Sequence, residues 1–289
     1  LLHSKRNMKQ VVAFLLLLFP LTVYSFTAAV TLSPYAKILS KIAGDRISVV
    51  TLVPNGADPH TFEPKPSTLR DFSRASIYFT DGSGLDKNWL PRFKGVHSTI
   101  KIVSLDEGIQ WKKEKTVHSH ASHSQETLDP HLWTSPKNVK IIASNMLNVL
   151  LELDSAGRNL YKKNYELYLK ELDLLSKEIE TLAKSLSEKE KTFMVFHPSF
   201  GYFARDYGFK QLCIESEGKE PKPRDLQHLI QEAKAANVKT VFVMPNFSRR
   251  AAETIAKSIQ GNVEVIDPLA YEFESSLRIL LQTLKRNAK

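Results

Sequence analysis

Hydrophobic and polar positions along this chain follow two rhythms, and the change from one to the other marks its parts. Short apolar, β-prone runs lie at Ile47–Val53, Ala75–Thr80 and Ile100–Val103. Others follow much later, at Phe193–Phe196, Gln211–Ile214, Thr240–Met244 and Val263–Ile266. Apolar runs without polar alternation are the pattern of strands covered on both faces, as in parallel sheets. Helical segments separate them: Ser67–Ser73 with Ser67 as its N-cap, Pro223–Ala236, Arg249–Ile259, and a last one from about Phe273. Strand and helix in alternation predict βα units. Between these stretches the rhythm differs. From Pro136 to Lys189 apolar residues recur at helical spacing among Lys–Glu pairs, and Gly157 is the one glycine. Tyr161, Tyr165, Tyr168, Leu172 and Leu175 continue the pattern beyond Ala156, which predicts one long helix. Clean heptads are too few for a coiled coil. The fold class is therefore α/β. The division expected is an N-terminal lobe over 26–154, a linking helix over 155–189 and a C-terminal lobe over 190–289. The polar stretch 112–127, with His118, His120 and His123, reads as an exposed mobile loop.

The first 25 residues belong to neither lobe. A basic start at Lys9 precedes the apolar core Val11–Tyr24 and then Ser25, the layout of a secretory signal peptide after an upstream extension. Cleavage is expected near Ser25 or Ala28–Ala29. The core is short for a membrane span and carries Pro20. With no cysteine nearby, the expected product is periplasmic or secreted and free of a lipid anchor. The one cysteine of the 289 residues, Cys213, sits in an apolar run and reads as a buried, inert thiol. A net charge of +9 raises nucleic acid as a partner, but the lysines are dispersed and no nucleic-acid motif is present. A solvated basic surface accounts for the charge.

Candidate chemistry gathers at four loop positions. Asp58-Pro59-His60, Asp129-Pro130-His131, His197-Pro198 and Asp267-Pro268 each set a potential ligand beside a proline, which stiffens the loop. His197 follows an apolar run directly, at the carboxyl end of a strand, where ligands gather in open α/β sheets. An aromatic helix follows it, with Phe200, Phe203 and Tyr207 on one face and Gly208 as its stop. Three imidazoles and a carboxylate make a complete tetrahedral zinc shell. The spacing alone leaves a second reading open: three separately hydrogen-bonded loop histidines, and an aspartate capping the last helix. Asp58 and Asp129 are candidates to cap their turns or to orient the neighbouring imidazoles. His97 and His228 have no partner pattern.

Over essentially the whole length after the leader, the chain resembles the metal-receptor family of ABC importers, substrate-binding proteins for zinc or manganese. The resemblance rests on Val53 to Pro64, Asp129-Pro130-His131-Leu132-Trp133, His197 to Gly208, Ile214 to Leu226 and Asp267-Pro268-Leu269, in that order. It implies two lobes, each a four-stranded parallel sheet flanked by helices, joined by one rigid helix, with a metal held between them. It implies that His60, His131, His197 and Asp267 are the metal ligands. It also implies a membrane permease, which docks the receptor directly, and its ATPase as partners, with the receptor a monomer. Zn(II) is the transported ion expected, because manganese-type members look oxygen-richer at the third ligand, where this chain has His197. Mn(II) or iron is the alternative. The short loop with His118, His120 and His123 stands where zinc-type members carry a longer histidine-rich insertion, and is a candidate weak auxiliary site. An enzyme is not expected. A secreted zinc hydrolase would need an open metal position and a base, for which Glu63 and Glu272 are the nearest candidates in sequence.

Overall fold

The computed structural model describes residues 26–114, 127–215, 220–245 and 247–288. The leader and His118, His120 and His123 lie outside these residues. The chain runs β1 (Thr27–Val30), α1 (Ser33–Ala43), β2 (Ser48–Thr51), α2 (Pro66–Phe72), β3 (Ile77–Thr80), α3 (Gly84–Val96) and β4 (Lys101–Ser104). A two-stranded ribbon, β5 (Lys113–Glu114) with β6 (Thr127–Leu128), precedes α4 (Pro136–Leu153) and α5 (Arg158–Ser185). The second half is β7 (Thr192–Val195), α6 (Gly201–Tyr207), β8 (Lys210–Cys213), α7 (Pro223–Ala235), β9 (Thr240–Val243), α8 (Arg250–Ser258), β10 (Asn262–Val265) and α9 (Phe273–Asn287).

Each half builds a four-stranded sheet, in the orders β2-β1-β3-β4 and β10-β9-β7-β8, with all pairings parallel. Read from the other edge, the second order is β8-β7-β9-β10, so the two halves repeat one topology. The inner strands β3, β7 and β9 are buried at every residue, whereas the edge strands β2, β4, β8 and β10 are partly exposed. Helices cover both faces of such a sheet, so its inner strands carry no alternation. In each half the chain reverses direction of growth between the first strand and the third, β1/β3 and β7/β9. Loops at the carboxyl ends beside such a switch point form the binding crevice of open α/β sheets.

α5 joins the halves. At 28 residues it spans about 42 Å. Its Tyr161, Tyr168 and Leu172 pack into the core of the first half, and its Leu175, Ile179 and Ala183 into that of the second. One helix contributes to two cores, which makes it a stiff link. Three residues of 3₁₀ turn, Ser155–Gly157, separate it from α4. Gly157 is required there, because a Cβ would press into the Tyr161 ring.

Several expectations need correction. β1 carries the centre of the first sheet, so cleavage at Ala28–Ala29 would cut a strand paired on both sides. α2 starts at Pro66, with Lys65 at its N-cap and no capping side chain, so Ser67 does not cap it. The polar stretch 112–127 is not loop throughout: its ends pair as β5 and β6. Lys112 is held there, its N–H donating to Tyr202 Oη at 3.1 Å. Cys213 is half-buried rather than buried, with Sγ 3.2 Å from both Phe196 O and Glu215 O. Among the described residues no helix is long and apolar enough to cross a membrane.

Candidate metal centre

His60 lies on the loop after β2. Asp58 turns that loop, accepting from His60 N at 2.9 Å through one oxygen and from Thr61 Oγ1 at 3.2 Å through the other. The Asp58 carboxylate is therefore a turn cap. Solvent reaches the outer edge of His60, but its ring lies 5.0 Å from that of His197 and 6.2 Å from that of His131. Burial, then the neighbouring His197 and His131, push its pKa down to about 4, so His60 is a neutral ligand at neutral pH.

His131 follows β6 and is 5% exposed. Asp129, fully buried, both caps the turn and orients the ring. Its Oδ1 accepts from His131 N at 3.0 Å and lies 2.8 Å from His131 Nδ1. Lys112 Nζ approaches the other oxygen at 3.4 Å. Burial pushes the Asp129 carboxyl up, but the bonds from His131 and the charge of Lys112 outweigh it and hold the group below its ordinary value. The expectation for Asp129 thus holds in both its forms.

His197 stands two residues past β7, beside the β7/β9 switch point. Its Nδ1 is 2.5 Å from Oε1 of Glu215, a side chain only 4% exposed, and its ring stacks on Phe247 at 5.7 Å. Glu215 falls inside the resembling segment Ile214 to Leu226, but nothing there gave it a role at the metal. The other signal was an acidic residue directly after the apolar run 211–214, just past the strand that neighbours the one leading to His197.

Both carboxylates hold Nδ1, which leaves Nε2 of both rings turned inward. Those two Nε2 atoms lie 3.1 Å apart, and ligand atoms of His60, His131 and His197 all fall within 4.8 Å of one another. Two nitrogens bound to one tetrahedral zinc at about 2.0–2.1 Å would stand about 3.3–3.4 Å apart. Two inward lone pairs at the observed spacing repel unless a cation or a proton lies between them. The three imidazoles can therefore hold one metal ion.

Asp267 is not in this group of three. It follows β10, and Leu269 N donates to its Oδ1 at 3.0 Å. Burial raises its carboxyl above the ordinary value. It does not cap α9 through its side chain; instead its carbonyl accepts from Ser276 Oγ at 2.5 Å. Its loop is tied to the opposite half through Trp133 Nε1, which donates to Pro268 O at 2.7 Å. Glu63 pairs with Arg92 at 3.5 Å and Glu272 with Lys37, both at the surface. His228 faces Glu232 at 3.8 Å, and His97 keeps a buried Nδ1 with no hydrogen-bond partner among the described residues.

The helix after His197 does more than pack. Tyr202 Oη donates to Asp129 O at 2.8 Å, Arg205 Nη1 to Gln110 O at 2.6 Å, and Ser135 Oγ to Asp206 Oδ2 at 2.5 Å. α6 thereby clasps the loop that carries His131.

Two lobes of parallel sheet joined by one helix, with three imidazoles drawn from both sides of the join, define a bilobal receptor for a metal ion. The chain belongs to the ZnuA family, zinc-uptake complex component A, periplasmic, whose model matches residues 29–289. A solved structure titled as a crystal structure of ZnuA is similar, at 36% identity and TM-score 0.83, covering 91% of this chain and 99% of its own. The high-affinity zinc uptake system protein ZnuA of Bacillus subtilis is 29% identical, over 83% of this chain and 77% of its own length. The manganese-binding lipoprotein MntA of Halalkalibacterium halodurans is 28% identical, over 76% and 71%. Relatives include the metal ABC transporter substrate-binding lipoprotein SloC of Streptococcus mutans, 27% identical over 80% of this chain and 76% of its own length, so the family is one of extracytoplasmic metal-binding components of ABC importers and not of enzymes.

Proposed function

We propose that this chain captures Zn(II) with His60, His131 and His197, with Asp267 completing the shell, and delivers the ion to its permease. The observation that carries the reading is the convergence of three imidazoles within 4.8 Å. An all-nitrogen group of three suits borderline-soft zinc, whereas manganese favours more oxygen. The likeness to zinc-uptake proteins supports the same choice, while the likeness to a manganese-binding lipoprotein marks the alternative. Asp267 would supply one oxygen by a local shift of its loop, which is the kind of motion a shared rigid helix leaves free. The receptor acts as a periplasmic or secreted monomer freed of its leader, docks directly on the permease and binds no nucleic acid. His118, His120 and His123 form a separate, weaker zinc site.

The test is elemental analysis of protein purified without added metal, then competition between zinc and manganese at equal total concentration. One equivalent of zinc, retained against manganese, is the expected result. Preference for manganese would overturn the zinc assignment. Deleting residues 115–125 removes only a weaker second binding event; loss of the tight event would refute the separation of the two sites.

A further inference from the structure

Glu215 has no partner other than His197 for its buried carboxylate among the described residues: Oε1 meets Nδ1, and Oε2 is buried without a hydrogen bond. The contrast with the other orienting carboxylate is sharp, since Asp129 also has Lys112. The backbone around Glu215 is fixed against the strand that leads to His197. Ile214 N donates to Val195 O at 3.0 Å and Glu215 N to Phe196 O at 3.1 Å. The backbone that carries the carboxylate is therefore held beside the strand that leads to His197, and burial of the side chain, 4% exposed, keeps it from solvent.

We propose that Glu215 commits position 197 to a nitrogen ligand, and so acts as a specificity-determining residue for the metal; this rests on the zinc reading above. A carboxylate offers only acceptors. What stands at position 197 must therefore present a donor hydrogen toward Glu215 and a lone pair toward the ion. Imidazole does both on opposite edges of one ring, and the 2.5 Å contact selects the tautomer with hydrogen on Nδ1. A side-chain carboxylate at 197, the harder oxygen ligand that manganese favours, would place two acceptors of like charge together in a buried site. Changing the ligand alone then fails to change the metal. The block is lifted only when Glu215 is also replaced by a side chain that can donate.

The experiment compares wild type, Glu215→Gln, His197→Glu and the double variant, measuring zinc and manganese affinities by competition with a chromophoric chelator. Glu215→Gln lowers zinc affinity by about ten- to a hundred-fold, as loss of an orienting carboxylate does. His197→Glu loses zinc and gains no manganese. The double variant binds manganese at least about tenfold more tightly than His197→Glu, because Gln donates to the new carboxylate. Equal manganese affinity in the single and double variants, or unchanged zinc affinity in Glu215→Gln, overturns the proposal. Nitrogen-15 NMR of the metal-free protein supplies a readout that survives if His197→Glu fails to fold. His197 is expected as the Nδ1–H tautomer in wild type and as a mixture in Glu215→Gln, and an unchanged tautomer would refute the role. A wild type that prefers manganese would sink the zinc reading alone, since the coupling between positions 197 and 215 is read from the variants.

Discussion

Replacing Gly201 by alanine tests the clasp between α6 and the metal loop without touching any ligand. Gly201 opens α6, and a Cβ there would overlap Asp129 Oδ2 and stand 2.9 Å from Lys112 Nζ. Helix propensity alone favours alanine over glycine by up to about 1 kcal/mol, so without the overlap the variant would be more stable. With it, either α6 or Asp129 must shift. Forcing a methyl into a packed site costs about 1–3 kcal/mol, enough to reverse the sign. If Asp129 yields, its 2.8 Å contact with His131 Nδ1 is lost and the ring is freed. Removing such a partner from a metal-bound imidazole costs about ten- to a hundred-fold in affinity. That corresponds to about 1.4–2.8 kcal/mol. Urea unfolding of the metal-free protein and a zinc titration of Gly201→Ala measure the two effects. A variant as stable as wild type or more so, with an unchanged zinc isotherm, would refute the close approach of α6 to Asp129.

Two further outcomes follow from buried carboxylates outside the metal centre. Asp86 is the common acceptor of Thr31, Tyr78 and Thr80 hydroxyls, each at 2.6 Å, and of Asp81 N at 2.7 Å. Thr31 and Tyr78 hydroxyls also lie 2.9 Å apart, so one can turn to the other and Asp86→Ala strands three buried donors. At about 1–3 kcal/mol each, urea unfolding should show a loss of at least about 3 kcal/mol; a loss under about 1 kcal/mol contradicts the network. Asp154 is bound by Arg46 Nε at 2.5 Å and by Tyr161 Oη at 2.5 Å, and Arg46 first, then Tyr161, hold its carboxyl well below the ordinary range. A lowered folded-state pKa gives stability that is present above the unfolded value of about 3.9 and is lost as pH falls toward the folded value. Stability should therefore decline through that acid window, and Asp154→Asn should flatten the decline. An identical acid limb in the variant would contradict it.

What the sequence made legible was set by contrast in its hydrophobic pattern. β3, β7 and β9 are buried at every position and stand out as apolar runs. α5 stands out because its buried face, from Tyr161 to Ala183, repeats over about six turns. β1 escaped notice, since Thr-Ala-Ala-Val has little contrast and abuts the apolar leader. α3 was hidden by Pro91 within it and by Gly84 and Gly95 near its ends. The imidazoles of the site were legible because His and Pro in loops are rare enough to notice together. Their carboxylate partners were less so. Asp129 was within two residues of its histidine, but Glu215 reaches His197 only through the pairing of β7 with β8, and pairing is a property of the folded chain. Asp267 illustrates the opposite limit: a motif can mark a loop, while the loop's own backbone bonds decide where its carboxylate rests.

The proposed capture of zinc turns on imidazoles from both halves converging on one ion. Zinc K-edge X-ray absorption of the protein loaded with one equivalent of zinc tests it directly. The expected result is a first shell of nitrogen and oxygen at about 2.0–2.1 Å, with the outer-shell scattering of three imidazoles. A shell with one imidazole or none, or one made of oxygen alone, would contradict it.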